Sequence, residues 1–194
     1  MIGSDLLDAT TLPRLLTRTG LRPGDRVLDV GCGDGSLVDA LCAAGYDAIG
    51  LDDRAALSPK TVAGTPAASV PAEGRSVSLA IVRGTSAFAE SPSSIEPLVG
   101  FANIVAAMRP GAAVAIVVPN WSIDDAVVLA DRFGLTCEPT SLGEPIGLIG
   151  RLLGRRSAAG PSVPLAIVPQ SPLSKLELHA TARDAAMTPL RRAA

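Results

Sequence analysis

The stretch VLDVGCGDGS, Val27 to Ser36, decides the fold. Val27 to Val30 is short, apolar and β-branched, the composition of a buried strand, and from Ser36 onward Leu37, Ala40, Leu41 and Ala44 recur at helical spacing until Gly45. Between strand and helix lie Gly31, Gly33 and Gly35. Glycines spaced this closely let the backbone turn sharply and approach a ligand, and the helix N-terminus that follows leaves amide N–H groups unpaired. The segment reads as a strand, a ligand-binding turn and a helix.

Working outward, the same alternation continues. Upstream, Leu12 to Thr19 is predicted to be a short helix with Pro13 in its first turn, followed by the turn Arg22-Pro23-Gly24-Asp25. Downstream, Ala48 to Leu51 forms a second strand ending in Asp52 and Asp53, and a short strand is placed at Thr61 to Ala63. Val77 to Val82 suits a strand covered on both faces. Leu98, Phe101, Val105 and Met108 mark one face of a helix closed by Arg109-Pro110-Gly111, and Ala112 to Val118 is another buried strand. Ser122 is the expected N-cap of a helix that ends at Gly134, with Asp124 and Asp125 in its first turn. Two later runs, Leu135 to Leu142 and Val163 to Val168, are strand-like. This pattern predicts an α/β domain with a parallel sheet and helices on both faces, over residues 1–170, and a polar C-terminal tail over 171–194.

Composition narrows the function. The chain has 194 residues, enough for one ordinary domain with a real core, and 17 basic against 19 acidic side chains. That balance advertises no attraction to nucleic acid or to anionic membranes. No apolar run is long enough to span a bilayer, and the first twenty residues lack the basic start and apolar core of a secretory signal. Three cysteines without a CxxC pair fit a reducing compartment, so a cytoplasmic protein without a metal site is expected.

Charge and spacing bear on the ligand of the glycine turn, with a nicotinamide dinucleotide as the disfavoured alternative. A dinucleotide fingerprint has a small third residue one position later than Gly35, and its amides face a pyrophosphate. Asp29, two residues before the first glycine, and Asp34, inside the turn, would repel such a group. Carboxylates here suit a ligand with a positive end, which S-adenosylmethionine has in its ammonium and sulfonium. Asp52, about 20 residues after the glycines, is placed to accept both hydroxyls of a ribose.

VLDVGCGDGS followed by AIGLDD resembles the first two motifs of the class I S-adenosylmethionine-dependent methyltransferases, and MRPGAAVAIVVP resembles that family's later turn and fifth strand. The resemblance runs from about residue 10 to 170. It implies a Rossmann-like, doubly wound, mostly parallel sheet with an antiparallel last strand, and S-adenosyl-L-methionine as cofactor. It places Asp29, Gly31, Cys32, Gly33 and Gly35 around the methionine moiety, Asp52 on the ribose, Asp53 beside the adenine edge, and Thr65 in the adenine turn, where relatives often carry an acid. Ser78 stands where an Asp commonly opens the fourth strand, and Thr85-Ser86-Ala87-Phe88 lacks the histidine many relatives have. Adenine recognition is then expected to use backbone N–H groups and apolar contact.

No catalytic base stands out. His179, the single imidazole, reads as a solvated surface residue, and Asp124 and Asp125 as first-turn helix charge. Trp121 reads as packing or pocket wall, and Cys32, Cys42 and Cys137 as small core residues. The 143–160 segment, with Arg151, Arg155 and Arg156, suits a lid, a dimer contact, a membrane-surface element or a solvated connection. Two functions follow: a methyltransferase acting on a small-molecule acceptor, or a non-catalytic methyltransferase-like subunit with weak or absent cofactor binding. A homodimer or a partner subunit is compatible with both.

Overall fold

The computed structural model describes residues 11–54, 58–142 and 162–187. The 143–160 segment of the sequence reading lies outside them. In chain order the elements are α1 (Thr11–Arg18), β1 (Arg26–Val30), α2 (Ser36–Ala43), β2 (Asp47–Asp52), β3 (Thr61–Ala63), β4 (Val77–Val82), a 3-10 turn (Ser86–Phe88), α3 (Ile95–Ala107), β5 (Met108–Ile116), α4 (Ile123–Arg132), β6 (Thr136–Ser141), β7 (Ser162–Ile167) and α5 (Lys175–Met187).

The seven strands form one sheet in the order β3-β2-β1-β4-β5-β7-β6. β1 to β5 run parallel to one another, and β7 is antiparallel to both of its neighbours, β5 and β6. The order reverses direction between β1 and β4, the switch point beside which open α/β sheets bind ligands at the carboxyl ends of their strands. The expected Rossmann-like sheet and its antiparallel last strand are both present.

Alternation along each strand divides the core in two. Leu28, Val30, Ala80, Val82, Val114 and Ile116 pack with α3, α4 and α5 on one face. Val27, Leu79, Ile81, Ala113 and Ala115 pack with α1 and α2 on the other. The odd-numbered positions of β1 beyond Val27 include Asp29, so an acid stands on the α1–α2 face where its neighbours are apolar.

Two sequence expectations change. Met108 is the first residue of β5, not the last of a helix face, and pairs with Val77, whereas Leu79 pairs with Ala113. Arg109-Pro110-Gly111 is therefore a bulge in the strand; Gly111, at φ 75°, donates its N–H to the Val168 carbonyl at 3.0 Å. His179 is half-buried on α5, with Nε2 2.8 Å from Asn103 Oδ1 on α3. Asn103 also donates to the carbonyls of Pro66 and Ala67, so the histidine expected to be solvated has a fixed partner in the α3–α5 seam.

Candidate functional site

The glycine turn leaves β1 at the carboxyl edge with Gly31, Gly33 and Gly35 at φ 84°, 58° and 83°, values that side-chain-bearing residues rarely adopt. At Gly31 space is also tight. A Cβ there would stand 3.0 Å from the Gly84 carbonyl oxygen and 3.2 Å from the Thr85 methyl carbon, so the turn presses directly on the segment leaving β4.

Above this contact lies a cleft of about 440 Å³, lined by Gly31 and Gly33 of the turn, Asp52, Asp53 and Arg54 after β2, Gly84 to Ser86 with Phe88 after β4, and Val118 to Asn120 after β5. Its volume falls in the ordinary range for small-molecule and cofactor sites. Asp52 is nearly buried, and its two oxygens are fixed separately: Oδ2 accepts the Gly33 N–H at 2.8 Å and Oδ1 the Arg54 N–H at 3.0 Å. Each oxygen retains a lone pair for a further donor. Asp53 Oδ2 accepts the Ser86 N–H at 3.0 Å, joining the ends of β2 and β4 across the cleft. Ser86, through its hydroxyl and its backbone N–H, holds the Asp53 carboxyl below the usual range, so it is ionised near neutrality.

The other sequence-marked residues sit elsewhere. Asp29 is fully buried, and both of its oxygens are taken by Arg83: Nε donates to Oδ1 at 3.0 Å and Nη2 to Oδ2 at 2.5 Å. Burial raises its carboxyl above the ordinary value, with Arg83 opposing that shift. Cys32 turns inward, against the Cα of Gly50. A Cβ at Gly50 would stand 2.6 Å from its sulfur, and burial pushes the thiol up to about 11. Gly35 faces Thr61 and Ser58 rather than the cleft. Thr65 closes a local turn, its carbonyl accepting from Ala68 and Ser69. Gly31, Gly33, Asp52 and Asp53 are thus brought together, whereas Asp29, Cys32, Gly35 and Thr65 lie outside the cleft wall.

Sequence reading passed over Arg83, Gly84 and Arg54. A basic residue immediately after an apolar strand, one strand from a buried acid, was the available signal for Arg83. Trp121 is a packing residue: its indole N–H donates to the Glu90 carbonyl at 2.9 Å and its ring meets Phe88 edge-on, 5.7 Å between centroids. It thereby fixes the loop carrying Ser86 and Phe88. Asp125 forms a capping box with Ser122, consistent with a helix-end role. Among the described residues no group of three or more His, Cys, Asp or Glu side chains is placed to hold a metal, and no helix is long and apolar enough to cross a membrane.

The cleft fits an adenosine-type cofactor on its own geometry. A fixed, nearly buried carboxylate offers two acceptors to a diol, Phe88, Ala89 and Val118 supply apolar wall, and cleft-lining Thr85 keeps a buried hydroxyl without a partner among the described residues. An unpaired buried hydroxyl costs about 1–3 kcal/mol, which a ligand hydrogen bond would recover.

A family model described as methionine biosynthesis protein MetW matches residues 14–65, which run from α1 past β3. No curated protein matches the sequence. Solved structures match over most of both chains. One is an S-adenosylmethionine-dependent methyltransferase from Methanosarcina mazei, 17% identical, TM-score 0.54, covering 80% of this chain and 98% of the other. Another, from Aquifex aeolicus, is 14% identical with TM-score 0.57, covering 86% and 93%. A third comes from a complex of the Trm112 methyltransferase activator of Haloferax volcanii with a methyltransferase, 18% identical, TM-score 0.56, covering 82% and 89%. At such identities the likeness establishes the fold, which is that of the class I S-adenosylmethionine-dependent methyltransferases.

Proposed function

We propose that this chain is an S-adenosylmethionine-dependent methyltransferase acting on a small molecule. The observation that carries the proposal is Asp52, a nearly buried carboxylate fixed by the Gly33 and Arg54 amides at the edge of a cleft floored by Gly31 and Gly33. Asp52 accepts the ribose hydroxyls, the glycine turn allows the ligand to approach the backbone, and Phe88 with Val118 excludes water from the base. When bound, the cofactor supplies an electrophilic methyl group on a sulfonium.

Transfer of that methyl group is a direct displacement whose rate depends on alignment in a desolvated pocket. The described cleft carries no histidine, and its two acids, Asp52 and Asp53, are both held by backbone amides. This favours an acceptor that is nucleophilic without losing a proton to the protein first. Catalysis then consists of positioning. Three cysteines without a bonded pair and the absence of a long apolar helix among the described residues support a cytoplasmic setting.

A second reading is a methyltransferase-like chain that works with a partner subunit, favoured by the Haloferax volcanii neighbour, whose structure is a complex with an activator. Calorimetric titration of the full chain with S-adenosylhomocysteine tests the first reading. Saturable one-site binding is expected. A folded chain that gives no heat contradicts cofactor binding and leaves the partner-subunit reading, which gel filtration with candidate partners would then address.

A further inference from the structure

The buried Asp29–Arg83 pair sits directly behind the cleft wall, on the segment that Gly31 touches. A Cβ at Gly31 would stand 3.2 Å from the Arg83 carbonyl carbon, and the Arg83 N–H donates to the Val30 carbonyl at 2.7 Å. Asp29 has no exposure, whereas the Arg83 side chain is 27% exposed. Whatever approaches this pair from solvent therefore meets the guanidinium.

The pairing geometry says which part of the guanidinium remains. Nε and Nη2 form the fork on Asp29, so one edge of the plane is used. Nη1 has no partner among the described residues, and the Nη1–Nη2 edge is a second fork of the spacing that a carboxylate matches. An Asp29 carboxylate that is already bidentate and has no exposure cannot be reached by a ligand ammonium without displacing Arg83. Expulsion would leave Arg83 unpaired and exchange a fixed bidentate contact for a mobile one. The motif acid that sequence reading assigned to the positive end of the ligand is therefore spent on an internal cation.

We propose that Arg83 is the specificity-determining contact for the amino-acid end of the cofactor, binding its carboxylate through the Nη1–Nη2 edge, with Asp29 as the positioning residue that holds the guanidinium in place. The inference rests on the cofactor reading above and reverses the polarity expected of this corner: recognition is of the ligand's anionic group rather than of its cationic one. Asp34, on the exposed rim of the same turn, is kept ionised chiefly by hydrogen bonds from Ser36 and, to a lesser degree, by the charge of Arg83. It is the acid left on this rim for the ammonium.

The test compares ligands that differ in one group. S-adenosylhomocysteine carries both the carboxylate and the ammonium, its decarboxylated analogue carries the ammonium alone, and adenosine carries neither. Titrated calorimetrically into the full chain, S-adenosylhomocysteine is expected to bind roughly 10- to 100-fold more tightly than the decarboxylated amine, the range of a hydrogen-bonded charge pair. Arg83→Gln should reduce that ratio below about threefold while adenosine binding stays within about twofold. Because Arg83→Gln strands a buried carboxylate, the neutral pair Asp29→Asn with Arg83→Gln is measured beside it, with thermal melting to establish folding. If both variants are unfolded, the wild-type ratio alone decides.

Equal binding of the two ligands by the wild type overturns the role of Arg83 while the cofactor reading stands. Tighter binding of the decarboxylated amine overturns it more specifically, because Asp29 would then be taking the ammonium. If none of the three ligands binds the folded wild type, the cofactor reading fails and this inference fails with it.

Discussion

Asp29 and Asp52 stand on adjacent parallel strands and point toward the same layer, yet the structure gives them opposite circumstances. Asp29 pairs in register with Gly50, so Asp52 lies two residues further toward the carboxyl edge, roughly 6–7 Å along the strand direction. At the deeper level a carboxylate is sealed among apolar side chains and needs an internal cation, which Arg83 of β4's trailing end provides. At the edge a carboxylate can be fixed by two amides and still present lone pairs to a ligand. Depth along the strand, not residue type, separates an acid that serves the fold from one that serves the cleft.

The largest effect that would break this contrast is on stability. Arg83→Met leaves Asp29 buried and unpaired and is expected to cost about 3–5 kcal/mol in urea unfolding, with little loss for Asp29→Leu combined with Arg83→Met. The penalty should depend on pH in a definite direction. The Asp29 carboxyl is raised in the fold, so its protonated form is the one the fold favours, and removing Arg83 raises it further. The destabilisation of Arg83→Met is thus greatest at neutral pH and shrinks as pH falls through the raised folded value. A pH-independent penalty would contradict an ionised Asp29 in the wild type.

Asp52→Ala comes next. Removing the acceptor of two fixed amides, which is also the proposed acceptor of the ribose hydroxyls, should weaken S-adenosylhomocysteine by roughly a hundredfold or more, seen by calorimetry. A loss under threefold would place the nucleoside elsewhere. Gly50→Ala addresses the turn from behind: the new methyl carbon meets the Cys32 sulfur, so a cost of about 1–3 kcal/mol in thermal or urea unfolding is expected. Thr65→Ala is the smallest case. Thr65 does not line the cleft, so the affinity for S-adenosylhomocysteine should change by less than about twofold; a tenfold loss would extend the nucleoside site to that turn.

Much of this was legible in the chain itself, for identifiable reasons. Strand and helix periods are local, and the three glycines, the terminal acid of β2 and the capping serine of α4 announce themselves by type and position. The bulge at Arg109 to Gly111 was hidden because Pro and Gly after an apolar helix read as a stop, while the hydrogen bonds of Gly111 and Ala112 are made to Val168, which lies more than 50 residues away. His179 was hidden for a similar reason: its partner Asn103 is 76 residues distant, on another helix. Asp29 was the instructive case. Its type and position in the motif are plain in the sequence, but its availability depends on Arg83, 54 residues downstream, which only the pairing of β1 with β4 brings beside it.

The central claim is that a nucleoside cofactor lies in the cleft between the ends of β2 and β4 with Asp52 on its ribose. A crystal structure of the full chain grown with S-adenosylhomocysteine tests it most directly. Ligand density is expected over Gly31 and Gly33, with both ribose hydroxyls within hydrogen-bond distance of the Asp52 carboxylate and the amino-acid carboxylate on the free edge of Arg83, the Asp29–Arg83 pair remaining intact. Density elsewhere on the chain, or a ribose out of reach of Asp52, would contradict it.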